Sequence, residues 1–322
     1  NNERAVVEHL QSLRKAAPNV DPAQISQLLS CCYSLLSQES SSLGLPDFPA
    51  DNLTAAVKLM DTLPGLSALE VLCRLYPYNM FLAKEGRQSV EELLTTFHLE
   101  TKKGQGCASL KDVTLIPKEE TAQVSVKYNG QQGSFSVCGF NDRVSSPIDF
   151  VQTPYQEQLL VQLLQSHLVG DFCLIGSRGC GKSATINRLA ALLNYQIEPI
   201  VLYQDISFRD LIQQRTTLPN GDTIWQNSPL VTAALEGKMA VLDGIHRIHP
   251  STLAVIHRLV HDREMQLHDG CRLIRHDRFD EIKSRYSLSD KQLNDSGVLR
   301  IHPAFRIVAL AEPPVQAISH GS

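Results

Sequence analysis

"GSRGCGKS", residues 176–183, decides how the rest of this chain is read. It meets G-x-x-x-x-G-K-[ST] at every fixed position. It follows the apolar run "FCLI" at 172–175 and opens into "KSATINRLAALLN" at 182–194, which has helical texture. Strand, glycine loop and helix in that order have a physical consequence. Glycines let the backbone turn so that several N–H groups face inward, and the start of the helix adds its partial positive charge. Such a cradle holds an anion with several negative oxygens. Its residues are Gly176, Ser177, Arg178, Gly179, Cys180, Gly181, Lys182 and Ser183. Lys182 is placed to reach the outer phosphates of a nucleotide, and the Ser183 hydroxyl to ligate Mg²⁺. A chance glycine-rich turn would share the letters but not the flanking strand and helix.

A phosphate–magnesium site also needs a carboxylate at the end of a neighbouring strand. "MAVLD", residues 239–243, is four apolar residues followed by Asp243, the expected second metal ligand. The competing reading is an aspartate that only caps the following turn. Further apolar runs alternate with helical texture: "YQEQLLVQLLQSH" helical, "IEPIVLY" a strand, "FRDLIQQR" helical, "STLAVIHRLVHD" helical and "FRIVALA" a strand. Short continuous apolar strands separated by helices imply a parallel sheet covered on both faces. The polar, charged segment 276–296 reads as a surface insertion.

Residues before the loop have a different texture. Asp21 then Pro22 is a helix start leading into "AQISQLLSCCYSLL". Leu66, Leu69, Leu72 and Tyr76 share helical spacing, and Ser89 with Glu92 reads as a capping box. "SQESSSLGLPDFPADN", residues 37–52, is a loop by composition. "AQVSVKYNGQQGSFSVCGF" has two alternating runs around Asn129-Gly130, a hairpin signal.

Composition narrows the partners. Hydrophobic residues are 43% and charged residues 20%, a globular profile, and the formal net charge of −4 gives no electrostatic reason to expect nucleic acid or an anionic membrane. No apolar run approaches the roughly 18 residues of a transmembrane helix. The eight cysteines, Cys31, Cys32, Cys73, Cys107, Cys138, Cys173, Cys180 and Cys271, form no C-x-x-C pair. Several lie in apolar runs, so a reducing intracellular compartment is expected rather than a disulfide framework or a zinc site. The chain opens on Asn1 with no targeting segment, so a piece of a longer protein is expected.

From residue 150 to 313 the chain resembles an AAA+ module of the midasin, dynein and MoxR branch. The resemblance is carried by "FVQTPYQEQLLVQLLQSH", "GSRGCGKS", "TTLPNGDTIWQNSPLVTAALEGKMAVLD" and "HPAFRIVALAEP". "LPNGDTIWQNSPL", with Asn220-Gly221 at its turn, matches the β-hairpin that interrupts the second helix in that branch. The implied fold class is α/β: a three-layer P-loop NTPase (AAA+) core with a parallel sheet, preceded by a helical lid-like domain and a β-hairpin connector. The expected boundaries are 1–105 for the helical domain (the lid of a preceding module), 106–148 for the connector, and 149–322 for the core without its own lid. The resemblance implies ATP and Mg²⁺ as cofactors and neighbouring AAA+ modules in the same chain or ring as partners. It also implies ATPase activity of the whole protein and a mitochondrial matrix location. In such sheets the strand carrying "HPAFRIVALAEP" lies between the phosphate-loop strand and the Asp243 strand.

Two departures from the family pattern bear on hydrolysis. The Asp-Glu pair of the family is Asp243-Gly244 here, which removes the carboxylate that polarises water. General-base catalysis contributes roughly 10²–10⁴-fold, so a bare loss leaves hydrolysis slow. The polar Ser/Thr and Asn before proline are Leu310 and Glu312. One expectation is that Glu312 faces the γ-phosphate site and partly replaces the missing base. The other is that both positions drifted in a module whose nucleotide is structural or regulatory. Other candidates are weaker. His257 and His261 sit at i and i+4 beside Arg258 and Arg263, without an evident third metal ligand. Arg247, Arg258 and Arg263 are candidates for contact with a neighbouring module or its nucleotide, and Trp225 for an interface or pore contact. A GTPase is disfavoured because no N-K-x-D element occurs. A small-molecule kinase would leave the hairpin and the 302–313 strand without a role.

Overall fold

The four apolar runs expected to be strands form one parallel sheet in the order β4-β12-β8-β5. The computed structural model describes residues 2–36, 48–63, 65–99, 108–116, 119–140, 150–151 and 153–313. The sheet strands are β4 (Phe172–Ile175), β5 (Ile197–Val201), β8 (Met239–Asp243) and β12 (Arg306–Ala311). Met239, Val241, Val308 and Leu310 enter one core, shared with helices α7 (Pro154–Val169) and α8 (Lys182–Leu192). Ala240, Leu242 and Ile307 enter a second core with α10 (Pro229–Glu236) and α11 (Pro250–His261). Alternate residues thus point to opposite faces, and both faces are apolar because both are covered by helices. The result is the three-layer α/β arrangement expected.

The helical segment contains α1 (Asn2–Ala16), α2 (Pro22–Leu35), α3 (Leu53–Thr62), α4 (Ala68–Leu75), the single turn α5 (Tyr78–Phe81) and α6 (Lys84–Thr96). Asp21 caps α2 as expected, its side chain accepting from the Ala23 N–H at 3.0 Å. Ser89 does not cap a helix. It lies inside α6, where its hydroxyl donates to the Glu85 carbonyl at 3.2 Å, a bond that satisfies a mid-helix serine. The capping box is instead at Ser67 and Glu70. Residues 37–47 of the loop expected at 37–52, Cys107, and the boundaries near 105 and 148 lie outside the described residues.

Between helices and core stands a three-stranded antiparallel meander, β1 (Ala108–Ile116), β2 (Thr121–Tyr128) and β3 (Gln131–Cys138). The hairpin at Asn129-Gly130 is as expected, with Tyr128 paired to Gln131. Strand β1 was not legible: Lys111 and Asp112 break its apolar alternation, and the register shifts between Leu110 and Asp112. The meander and α7 share the core that also holds α8. His167 on α7 fastens the junction, its Nε2 lying 3.1 Å from the carbonyl oxygen of Cys138 at the end of β3. Burial, with nearby Arg306 adding repulsion, pushes the pKa of His167 down from 6.5 to about 3.

The core carries two further insertions. An antiparallel hairpin, β6 (Gln213–Thr217) and β7 (Thr223–Asn227), follows the short helix α9 (Phe208–Ile212). The expected helix through Arg215 therefore stops at Ile212. The second insertion is a small sheet of β9 (Met265–Gln266), β10 (Arg272–Ile274) and β11 (Val298–Arg300), carrying α12 (His276–Tyr286) and α13 (Asp290–Asp295). The polar segment 276–296 is thus two helices, held by Phe279 and Leu293 packed on Ile274.

Asp171, the residue before β4, receives both Nη atoms of Arg263 at 2.6 and 2.7 Å and the Ile307 N–H of β12 at 2.8 Å. Both side chains are largely buried, so this clamp fixes the entry to β4 against β12. Asp171→Ala leaves a buried guanidinium unpaired and is expected to lower unfolding stability by about 3 kcal/mol in urea titrations. His167 yields a second expectation. Its folded pKa lies below its unfolded one, so between pH 6.5 and about 3 only the unfolded chain takes up the proton, and stability falls as pH falls through that window. Between pH 7 and pH 5 the unaltered protein should lose about 2 kcal/mol more than His167→Phe in the same titration.

Candidate functional site

Strand β4 ends at Ile175, and the Gly176 N–H donates to the Ala311 carbonyl at 3.1 Å, so the loop leaves the sheet beside the end of β12. The loop closes at Gly181, whose φ of +86° and ψ of 17° start α8 from the left-handed region. Glycine adopts that conformation without a Cβ penalty. No side chain caps α8. Its first-turn N–H groups at Lys182, Ser183 and Ala184 therefore have neither an intrahelical nor a capping acceptor, and they carry the positive end of the helix dipole. Ser177, Arg178, Gly179 and Cys180 are exposed around them. The Lys182 ammonium donates to the carbonyls of Gly176 at 2.6 Å and Ser177 at 2.9 Å. Those two bonds hold a positive charge at the base of the same loop.

The register of the sheet brings the other expected residues to this edge. Ala311 pairs with Ile175, and Leu310 with Asp243, so β4, β12 and β8 end together. Asp243 shares the parity of Met239 and Val241 and so faces the side covered by α8. It is half-buried, and no described residue bonds its carboxylate or the Ser183 hydroxyl. Strand β12 lies between the loop strand and the Asp243 strand, as the resemblance implied.

Gly244 is buried and left-handed, with φ +92° and ψ 35°. It opens a 3₁₀ turn (Ile245–Arg247) in which the Arg247 N–H donates to the Gly244 carbonyl at 2.9 Å. A Cβ at 244 would sit 3.1 Å from the Leu202 carbonyl oxygen and 3.2 and 3.3 Å from Cδ and Cζ of Arg247. The space where a side chain would begin is taken by an arginine. Glu312, one residue past β12, pairs its Oε1 with Nη2 of Arg247 at 3.3 Å. Its N–H donates to Nδ1 of His246 at 3.2 Å. The sequence carried no sign of this pairing across 65 positions; the nearest local signal is glycine followed by arginine at the i+3 spacing of a 3₁₀ turn.

The remaining candidates lie elsewhere. His257 and His261 stack with ring centroids 4.2 Å apart on the exposed side of α11. Among the described residues, no three His, Cys, Asp or Glu side chains group as metal ligands. Arg263 is committed to Asp171, and Arg258 pairs with Glu264 at 3.2 Å. Trp225 is on the β6–β7 hairpin beside His268 at 5.3 Å, with Arg215 over its ring at 5.7 Å. Sequence reasoning missed Gln213. Its buried amide donates to Asn227 and Asp269, both at 2.9 Å, and accepts from the N–H groups of His268 and Asp269 at 2.8 and 3.1 Å. All four of its hydrogen-bonding positions are filled. No helix among the described residues is long and apolar enough to cross a membrane.

Comparison with known proteins places these features. Over 317 residues the chain is 47% identical to von Willebrand factor A domain-containing protein 8 of Mus musculus, a match covering 96% of this chain and 16% of that protein. Protein NorQ of Paracoccus denitrificans is 34% identical over 92 residues, 29% of this chain and 34% of its own. Denitrification regulatory protein NirQ of Stutzerimonas stutzeri is 32% identical over 108 residues, 34% of this chain and 38% of its own. The chain therefore spans about a sixth of the mouse relative and little more than a third of the bacterial ones. The model of the AAA domain, dynein-related subfamily, matches residues 171–320. That match begins at the residue clamped by Arg263 and runs past β12, taking in the whole four-stranded sheet, so it is residues 171–320 of the chain that match the AAA domain of the dynein-related subfamily.

Proposed function

We propose that this chain is the Mg·ATP-binding AAA+ module of a larger multi-module ATPase, and that nucleotide state sets its geometry against neighbouring modules. The observation that carries the reading is the uncapped start of α8 behind left-handed Gly181, with the Lys182 ammonium at the loop base. The cradle of residues 176–183 would bind the phosphates, and Lys182 would leave the Gly176 and Ser177 carbonyls to meet them. Ser183 and Asp243 suit Mg²⁺, since the site consists of hard oxygen donors and their side chains have no other partner among the described residues. The bound metal would supply charge neutralisation on the β- and γ-phosphates. Residues 1–105 would be the lid of a preceding module and residues 106–148 the connector. The core shared by the meander, α7 and α8 supports a rigid hand-off between them.

A second reading, a module that holds nucleotide without hydrolysing it, is favoured by Gly244. The missing carboxylate there is more than a deleted side chain: the backbone has taken a conformation that glycine allows, and Arg247 fills the space.

Calorimetric titration of the chain with Mg·ATP tests the first reading. Lys182→Ala should weaken binding about 10–100-fold, the loss expected for a charge-assisted contact. If that variant titrates like the unaltered protein, the phosphates are held elsewhere. Gly244→Glu, which writes the family's Asp-Glu pair back in, should lower stability by about 1–3 kcal/mol through left-handed strain and leave single-turnover hydrolysis unimproved. A hundredfold faster turnover in that variant would show that the turn yields to a glutamate.

A further inference from the structure

The Arg247–Glu312 ion pair is the one charged pair at the sheet edge where β4, β12 and β8 end together, among the described residues. Three observations fix where it stands. Glu312 directly follows Ala311, whose carbonyl accepts the Gly176 N–H, so it is one residue from the phosphate loop on a neighbouring strand about 4.8 Å away. It continues the parity of Val308 and Leu310, which face the side covered by α8, as Asp243 does on β8. The left-handed turn at Gly244 folds Arg247 back onto the same edge, its Cζ 3.3 Å from the position of a Cβ at 244. Loop, Asp243 and the ion pair therefore share one end of the sheet.

The chemistry of the pair suits exchange. Its single contact is 3.3 Å, long for a charged hydrogen bond, and the two side chains are 40% and 32% exposed. By contrast, Arg263 is bidentate on Asp171 at 2.6 and 2.7 Å. A guanidinium holds a phosphate through two parallel N–H donors, and a terminal phosphate carries more charge than one carboxylate. A γ-phosphate arriving beside Lys182 would outcompete Glu312 for Arg247. ADP, which ends one phosphate short, would leave the pair closed.

We propose that Arg247 recognises the γ-phosphate within the same chain, and that Glu312 is its counter-ion when no γ-phosphate is present. The pair makes the site specific for a triphosphate over a diphosphate without requiring cleavage. In this assignment Glu312 is not the substitute base: it stores the arginine. The inference rests on the Mg·ATP-binding reading and goes beyond it by naming the residues that distinguish the two nucleotides.

The test compares Mg·adenylyl imidodiphosphate with Mg·ADP by calorimetry on the full chain, using the unaltered protein, Arg247→Gln and Glu312→Gln. Thermal melting without nucleotide confirms that each variant is folded. Arg247→Gln should weaken the triphosphate about 10–100-fold and leave ADP within about twofold. Glu312→Gln should tighten the triphosphate several-fold, because the arginine is released, again with ADP unchanged. Equal loss for both nucleotides in Arg247→Gln, or no loss, overturns the assignment, as does weaker triphosphate binding in Glu312→Gln. An unaltered protein that binds both nucleotides while the variants show no discrimination sinks this inference alone. One that binds neither sinks the Mg·ATP reading as well.

Discussion

Strand β12 hydrogen-bonds to β4 on one side and β8 on the other, and its register sets what can meet at the sheet edge. Ala311 opposite Ile175 and Leu310 opposite Asp243 bring the loop, the carboxylate and Glu312 to one level. A slip of β12 by one residue would turn Glu312 away from α8 and leave Asp243 opposite a different residue, because successive side chains in a strand face opposite sides. The register is in turn held at the far end, where Asp171 receives Arg263 and the Ile307 N–H. Side chains at the closed end of the sheet thus determine the alignment of the open end. Without that alignment, the uncapped amides of α8 would have no partner carboxylate for a metal.

At the open end the electrostatics differ from the pattern the resemblance implies. A carboxylate is absent at 244, an arginine fills the space it would have entered, and a new carboxylate at 312 neutralises that arginine. The cause is conformational. Once residue 244 turns left-handed, the chain enters a 3₁₀ turn that projects position 247 back onto the site. The same left-handed turn thus accounts for both the bare position at 244 and the arginine beside it. The tight loop that holds Lys182 and the open pair that holds Arg247 present two cations to one end of the sheet.

The two insertions are joined to each other. Gln213 begins the β6–β7 hairpin and makes three of its four side-chain bonds to the turn between β9 and β10, while His268 of that turn contacts the rings of Phe208 and Trp225. A buried amide with every valence filled moves only at the cost of several hydrogen bonds. The exposed hairpin is therefore tied to the segment that leads, through β11, into β12.

Periodicity and spacing alone determined the phosphate loop, the parallel α/β core, the hairpin at Asn129-Gly130 and the aspartate at the end of β8, while the hairpin at Asn220-Gly221 came from the family resemblance. These are local properties: a glycine conformation, an apolar run, a helix start. The same reasoning placed a cap at Ser89, carried a helix through Arg215, missed β1 and saw only a polar surface in residues 276–296. Each of those depends on where buried partners lie. Ser89 sits mid-helix because the chain starts turning at Lys84, and Gln213 is a strand residue because Asn227 and Asp269 await its amide. Phe279 and Leu293 are the buried anchors of two polar helices. The partnership of Arg247 with Glu312 was beyond sequence for the same reason. Which charge faces which depends on strand register and on one left-handed residue, and neither is written in the neighbours of either side chain.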